Sequence, residues 1–448
     1  MNAPNLIGRT RASVAASASW LSGLSAVILF FCLGTVVTPS VRAQCLFPYW
    51  RQLSPGQSPA AQRIFHALAY DSQRRVTVLF GGRRLQGLGD PPLQPSDFYN
   101  DTWEFDGTTW TQRLPNNPPF PLALAAASYD PVKHATIVFG GEAGTNGFPD
   151  SGFLWEWDGE DWREVSSVGP HPAPRTGHQM VYDSVRHVHV MYGGSTAAGR
   201  LDETWEYDAP ARTWTLRSTA GPGKRSSFAL AYDSIRNRTV LFGGRLDEAP
   251  TYAEEWANDT WVWESGAGTW QQLNPAIRPS GRSGHAMSFD STRGVVVLLG
   301  GEYVAQNYTN SVVTALSSET WEWDGVNWAS PPFAYNFCCG IEWHSMVYET
   351  ARQQVLLFQN TGRTVNDPMI TWAAATGNGR AVNYVDWSNF FGFEDGTPAF
   401  PFSTLHNAVP CTLGAATISV RGGDYPEGAL LLNKQMRIIS NNGSVHIH

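Results

Sequence analysis

Lysine is almost missing from this chain of 448 residues: Lys133, Lys224 and Lys434 are the three, and arginine supplies the other fixed cations. Basic residues form no cluster, and the net charge is −8. Both facts argue against a nucleic acid or an anionic membrane surface as partner, and mild acidity mainly favours solubility. Cysteine is scarce as well: Cys32, Cys45, Cys338, Cys339 and Cys411, with no Cys-x-x-Cys pair, so no structural zinc is expected. After residue 43 no apolar set recurs for long at helical spacing, which leaves little room for α-helix. What abounds is 43 glycines, 29 prolines and 19 tryptophans, a composition of short strands and tight turns.

The glycines are ordered. An apolar run ends in a glycine pair five times, at Gly81-Gly82, Gly140-Gly141, Gly193-Gly194, Gly243-Gly244 and Gly300-Gly301, 50 to 59 residues apart. Each pair is followed by an aromatic strand such as Thr102-Trp103-Glu104-Phe105, and then by a second tryptophan, at Trp110, Trp162, Trp214, Trp270 and Trp328. Four short apolar segments per unit, bounded by Asp, Pro and Gly, read as strands joined by hairpins. Four strands at a period near 50 is the spacing of a propeller blade. The glycine pairs are expected at strand ends where backbone approach or positive φ excludes a Cβ. They are not phosphate loops, because no helix follows.

Over residues 46–387 this text resembles the kelch-repeat family of β-propellers, the galactose-oxidase-like kelch superfamily. A worn sixth unit follows the five: His344-Ser345-Met346-Val347-Tyr348 opens it, Gln359-Asn360 stands where the glycine pair should be, and Ile370-Thr371-Trp372 is its aromatic strand. The unit lacks an outer strand, and Trp50-Arg51-Gln52-Leu53 matches the outer strands elsewhere. The expectation is therefore an all-β, six-bladed propeller over 44–387, closed by its N-terminal strand so that no open edge remains. The rival donor of that strand is 381–387.

Residues 1–43 read as a secretory signal peptide, with Arg9 and Arg11 before the apolar run 26–37 and Val41-Arg42-Ala43 as a small-residue cleavage site. The alternative is an uncleaved anchor, at the lower limit of spanning length. Either implies export to a secreted, periplasmic or cell-surface location, with no stable membrane span once the signal is removed. Four cysteines then remain and allow three pairings, which stay open, a vicinal Cys338-Cys339 bridge among them. Residues 388–448 carry different text. They resemble the cap helix (401–409) and first turns of a pectin-lyase-like right-handed parallel β-helix, cut short before the coils that hold that family's catalytic residues.

Chemistry is sparse. Trp103, Trp155, Trp205, Trp261 and Trp321 recur at one position and are expected to pack blade on blade. Asp71, Asp130, Asp183, Asp233 and Asp290 occupy turn sites that hydrogen-bond their own backbone; calcium binding is the alternative. The candidate site is the text Arg63-x-x-His66, Arg175-x-x-His178 and Arg282-x-x-His285, with Arg225 in a fourth copy. It opens the strand that the resemblance places nearest the axis. Either these side chains bond loops between blades, or they ring the channel mouth and bind carboxylates or sugar hydroxyls. Connections of uneven length after the glycine pairs, at 83–99, 142–152, 245–258 and 302–318, share that face. Three functions fit: an exported, non-catalytic module binding a glycan or protein; a carbohydrate-active or copper oxidoreductase, as the resemblance to galactose oxidase implies; or a structural surface protein. The copper chemistry needs a Tyr–Cys cross-link and Tyr and His ligands, and no His-rich constellation stands in the sequence. No catalytic residue, metal or cofactor is expected.

Overall fold

The apolar run before each glycine pair is too short for a helix and too apolar for an edge. In every repeat it becomes an inner strand of a four-stranded antiparallel sheet. The computed structural model describes residues 49–375 except 54, 56–57, 60–62, 87–90, 146, 148, 248–254, 309–310, 332–340 and 360–369, together with the strands Arg380–Val385, Thr412–Val420, Gly423–Tyr425, Arg437–Ser440 and Val445–Ile447. The expected signal segment, the cap helix at 401–409 and Cys45, Cys338, Cys339 and Cys411 lie outside the described residues. The longest helical element described is one 3-10 turn, Pro95–Asp97.

Six four-stranded sheets are present among the described residues. In the first, Ala67–Asp71, Val76–Phe80, Thr102–Phe105 and Trp110–Arg113 pair in chain order. The next four repeat this with first strands Ala126–Asp130, Gln179–Asp183, Ala229–Asp233 and Ala286–Asp290. In the sixth, Ser345–Glu349, Gln354–Gln359 and Ile370–Ala375 are joined by Tyr49–Leu53, in the register Trp50 opposite Ala374. The rival strand, Arg380–Val385, instead pairs in parallel with Thr412–Val420, which pairs in parallel with Arg437–Ser440.

In the first five sheets the first strand ends in the turn Asp, which supplies the corner. Asp71 Oδ1 accepts from the backbone N–H of Gln73 and Arg74, and Asp130, Asp183, Asp233 and Asp290 do the same two and three residues on. The hydrophobic core lies between sheets. Buried clusters join consecutive sheets: Val78, Phe80, Leu122 and Trp155 across the first and second, Tyr192, Phe228 and Leu230 across the third and fourth, and Leu79, Trp103, Trp110 and Phe358 across the sixth and first. First strands also lie against one another in sequence, and Ser345–Glu349 lies against Ala67–Asp71.

The outer tryptophans stitch neighbours together. Trp162, Trp270 and Trp328 donate their indole N–H to Thr102, Thr204 and Thr260 of the preceding sheet at 2.8, 2.8 and 2.9 Å. Trp110 reaches Thr371 at 2.9 Å, and Trp50 reaches Thr320 at 3.2 Å, so the N-terminal strand makes the bond that its register predicts. Leu154 replaces the threonine in the second sheet, and the buried N–H of Trp214 is left without a partner. Thr102→Val should strand the Trp162 N–H in the same way and lower stability by about 1–3 kcal/mol in denaturant titration. An unchanged midpoint would mean that water replaces the hydroxyl.

Candidate functional site

The Arg of each Arg-x-x-His text is fully withdrawn from solvent. Arg63, Arg175 and Arg282 are 0% exposed and Arg225 is 1%. Each guanidinium donates to the carbonyl of the first glycine of its own pair: Gly81, Gly193, Gly243 and Gly300, at 2.6 to 3.0 Å. Each also meets an acid two residues before the third-strand tryptophan. Arg63 grips Asp101, Arg225 holds Asp259 through two bonds of 2.8 Å, Arg175 meets Glu203 at 2.6 Å and Arg282 meets Glu319 at 2.7 Å. The same acids accept the indole N–H of Trp103, Trp205, Trp261 and Trp321 at 2.6 to 3.0 Å. Burial raises the carboxyl pKa of Glu203, Asp259 and Glu319, and the arginine beside each outweighs it and holds the group below its ordinary value. The tryptophans at this position pack in the inter-sheet core.

The glycine pair explains why the arginine must sit there. Gly243 and Gly244 have φ of +67° and +98°, and a Cβ on Gly243 would lie 2.7 Å from the Arg282 carbonyl of the next sheet. Gly244 N–H donates to that same carbonyl at 2.9 Å. The equivalent bonds run from Gly82, Gly141, Gly194 and Gly301 to Leu122, Arg175, Arg225 and Ile341. The pair is thus a joint between sheets, locked from inside by the arginine.

Towards the axis, the next two residues form a floor. Phe65, Leu124, Gly177, Ser227, Gly284 and Trp343 occupy one position in six repeats, all with φ between 56° and 65°. Their backbones form a circuit: each N–H donates to the carbonyl of the equivalent residue in the preceding sheet, at 2.9 to 3.5 Å, and Phe65 donates to Trp343. Below them lie His66, His178, His285 and His344, with Phe228 and Ala125 in the other two places. His178 and His344 donate Nε2–H to Phe139 and Leu299 of the preceding sheet, both at 3.1 Å. His66 meets Phe358 edge-on and His285 meets Phe242 likewise. Burial, reinforced for His66 and His178 by the neighbouring arginine, pushes the pKa of these two down to about 3. Burial does the same for His344, and His285 also falls well below 6.5. The axial recess that these residues line measures only about 70 Å³.

The seven expected site residues therefore share one face and are buried there: the four arginines are bonded to the glycine carbonyl and acid of their own repeat, His178 is bonded to the preceding sheet, and His66 and His285 are held in ring contacts. The six left-handed corner residues were missed by the sequence reading because they share a backbone conformation and no side-chain chemistry. Room for a ligand lies further out. A cleft of about 460 Å³ opens between the fourth and fifth sheets, lined by Leu246, Trp256, Asn258, Asp259, Ser280 and Val304 among others. That volume is in the range of small-ligand pockets. Nearer the axis, burial and the charge of Glu302 push Glu342 up to about 7. Among the described residues no group of three His, Cys, Asp or Glu could hold a metal ion, and no helix is long and apolar enough to cross a membrane.

Against known proteins, the chain matches the model of the KLHDC2/KLHL20/DRC7 Kelch-repeats domain over residues 123–358. It is similar to dynein regulatory complex subunit 7 of Chlamydomonas reinhardtii, 31% identical over 87 residues, a stretch that is 19% of this chain and 8% of that protein. It also resembles the solved structure of YjhT, with a TM-score of 0.53 and 12% identity over 71% of this chain and 95% of that one, a likeness of fold alone. The repeated glycine joints and four-stranded sheets are those of a β-propeller, and with more than half its length inside that family model, the chain belongs to the KLHDC2/KLHL20/DRC7 Kelch-repeats domain family.

Proposed function

We propose that this chain is a non-catalytic interaction module whose glycine-pair face holds a partner protein or glycan. One observation carries the reading: the repeated charges are spent inside the ring, while the connections on that face differ from sheet to sheet in length and chemistry. Membership of a Kelch-repeat family supports protein as the partner class. The scaffold is six blades, closed where Tyr49–Leu53 completes the sixth; the backbone circuit and the Trp50–Thr320 bond support this. Residues 1–43 act as an export signal, and the C-terminal strands are the start of a parallel β-helix, supported by their parallel pairing. Arg63, Arg175, Arg225, Arg282, His66, His178 and His285 set the height and spacing of the loops and do not touch the ligand.

The test is face-specific. Asn258 and Ser280 are exposed on the glycine-pair face, and Val185 and Ile235, 56% and 57% exposed, stand on the opposite turns. Glycan-array binding, or proteins recovered from the source cells by the wild type, should be lost in Asn258→Arg with Ser280→Arg. Both should survive Val185→Lys with Ile235→Lys. The reverse pattern would place the interface on the turns and sink the reading.

A further inference from the structure

The connection between second and third strands is where the sheets differ most. In four sheets it pairs over two residues: Arg83–Arg84, Glu142–Ala143, Ser195–Thr196 and Arg245–Leu246. In the fifth it extends as Glu302–Tyr308, paired with Arg282–Ser283 on one side and with Ser311–Leu316 on the other. The far side of Ser311–Leu316 has no strand partner among the described residues. It presents a row of backbone donors and acceptors, the template on which another strand can form.

Edges that resist such pairing carry charge or proline. The outer strands of the first three sheets do so, with Arg113, Arg163, Glu164 and Arg217 exposed on them. Ser311–Leu316 has neither, and its Val313 and Leu316 are 47% and 43% exposed. The cleft of about 460 Å³ adjoins the same hairpin: Val304, opposite Thr314, forms its wall with Leu246 and Trp256. An edge beside a cleft has the two parts that strand-addition sites use, main-chain pairing for affinity and a pocket for selectivity.

We propose that Ser311–Leu316 accepts an extended, uncharged segment of a partner protein as an added β-strand, with one side chain of that segment set in the cleft, where Leu246, Trp256 and Val304 stand beside the polar Asn258 and Ser280. This rests on the reading that the glycine-pair face binds protein. Alternate residues of the added strand face the cleft side, as Thr314 and Leu316 do by their spacing.

Random dodecapeptides displayed on phage and selected on the immobilised full chain test the proposal. The expected enrichment is for alternating β-branched or aromatic residues without charge. A synthetic peptide of that sequence should bind wild type and lose about tenfold or more in affinity, at least 1.4 kcal/mol, with V313K and with T314P. I235K on the opposite face is the control, and matched thermal midpoints show that each variant folds. Equal binding to V313K, a charged or proline-rich consensus, or no enrichment would overturn the proposal. So would a wild-type dimer that V313K converts to monomer, because the occupant would then be a second copy. Peptides indifferent to V313K but lost with S280R would sink this edge and leave the wider reading of the face standing; peptides lost only with I235K would sink both.

Discussion

Arg175→Leu should lower stability by about 3–5 kcal/mol, because it leaves Glu203 charged and partly buried with its main partner gone. Adding Glu203→Phe should restore most of that loss, to within about 1–2 kcal/mol of wild type. The remainder is the indole N–H of Trp205, which loses its acceptor. The second sheet already carries this replacement: Leu122 stands at the arginine position, Phe153 at the acid position, and Trp155 Nε1 has no partner. Denaturant titration of the two single variants and the double variant gives the coupling directly. Additive losses would mean that the two charges act apart, and the arginine would again be free to serve a ligand.

Acid should unfold the protein unusually early. An unfolded histidine binds a proton near pH 6.5, whereas folded His66, His178 and His344 do so only near 3. Between those values the unfolded state binds more protons, so stability is fully present above about pH 6.5 and falls as pH drops towards 3. At about pH 5 each of the three contributes a loss on the order of 2 kcal/mol. Together they approach the whole stability of a typical domain, about 5–15 kcal/mol. His178→Phe copies Phe228 of the fourth sheet and should flatten the acid limb by about one proton, or 1.4 kcal/mol per pH unit. An acid limb unchanged in that variant would show that carboxylates, not this histidine, set it.

The scaffold was legible because its rules act on side-chain type at fixed spacing. Glycine at a joint where a Cβ would meet a carbonyl, tryptophan at an outer strand and aspartate at a turn each have one chemical reason to recur. For the worn sixth unit, Trp50-Arg51-Gln52-Leu53 carries the outer-strand text, and Tyr49–Leu53 pairs with Ile370–Ala375. The arginine partners were present in the text but not read: Asp101, Glu203, Asp259 and Glu319 precede Thr-Trp in the four repeats that have the arginine. Phe153 and Ile370 stand there in the two repeats that open with Leu122 and Ile341. Charge is kept or lost in pairs, as burial demands. The axial floor could not be read, since Phe65, Leu124, Ser227 and Trp343 have only a left-handed φ in common with Gly177 and Gly284. Site chemistry was least legible because the loops follow no repeat.

Ring closure is tested most directly by native-state hydrogen exchange at six amides: Phe65, Leu124, Gly177, Ser227, Gly284 and Trp343. All six donate within one backbone circuit, and the bond from Phe65 to the Trp343 carbonyl, at 3.5 Å the longest, joins the first sheet to the sixth. In a closed ring the six should exchange together, at a rate set by global unfolding, and the amides of Tyr49–Leu53 that pair with Ile370–Ala375 should follow them. Fast exchange at Phe65 and along Tyr49–Leu53, with the other five amides protected, would show a ring open between its first and sixth sheets.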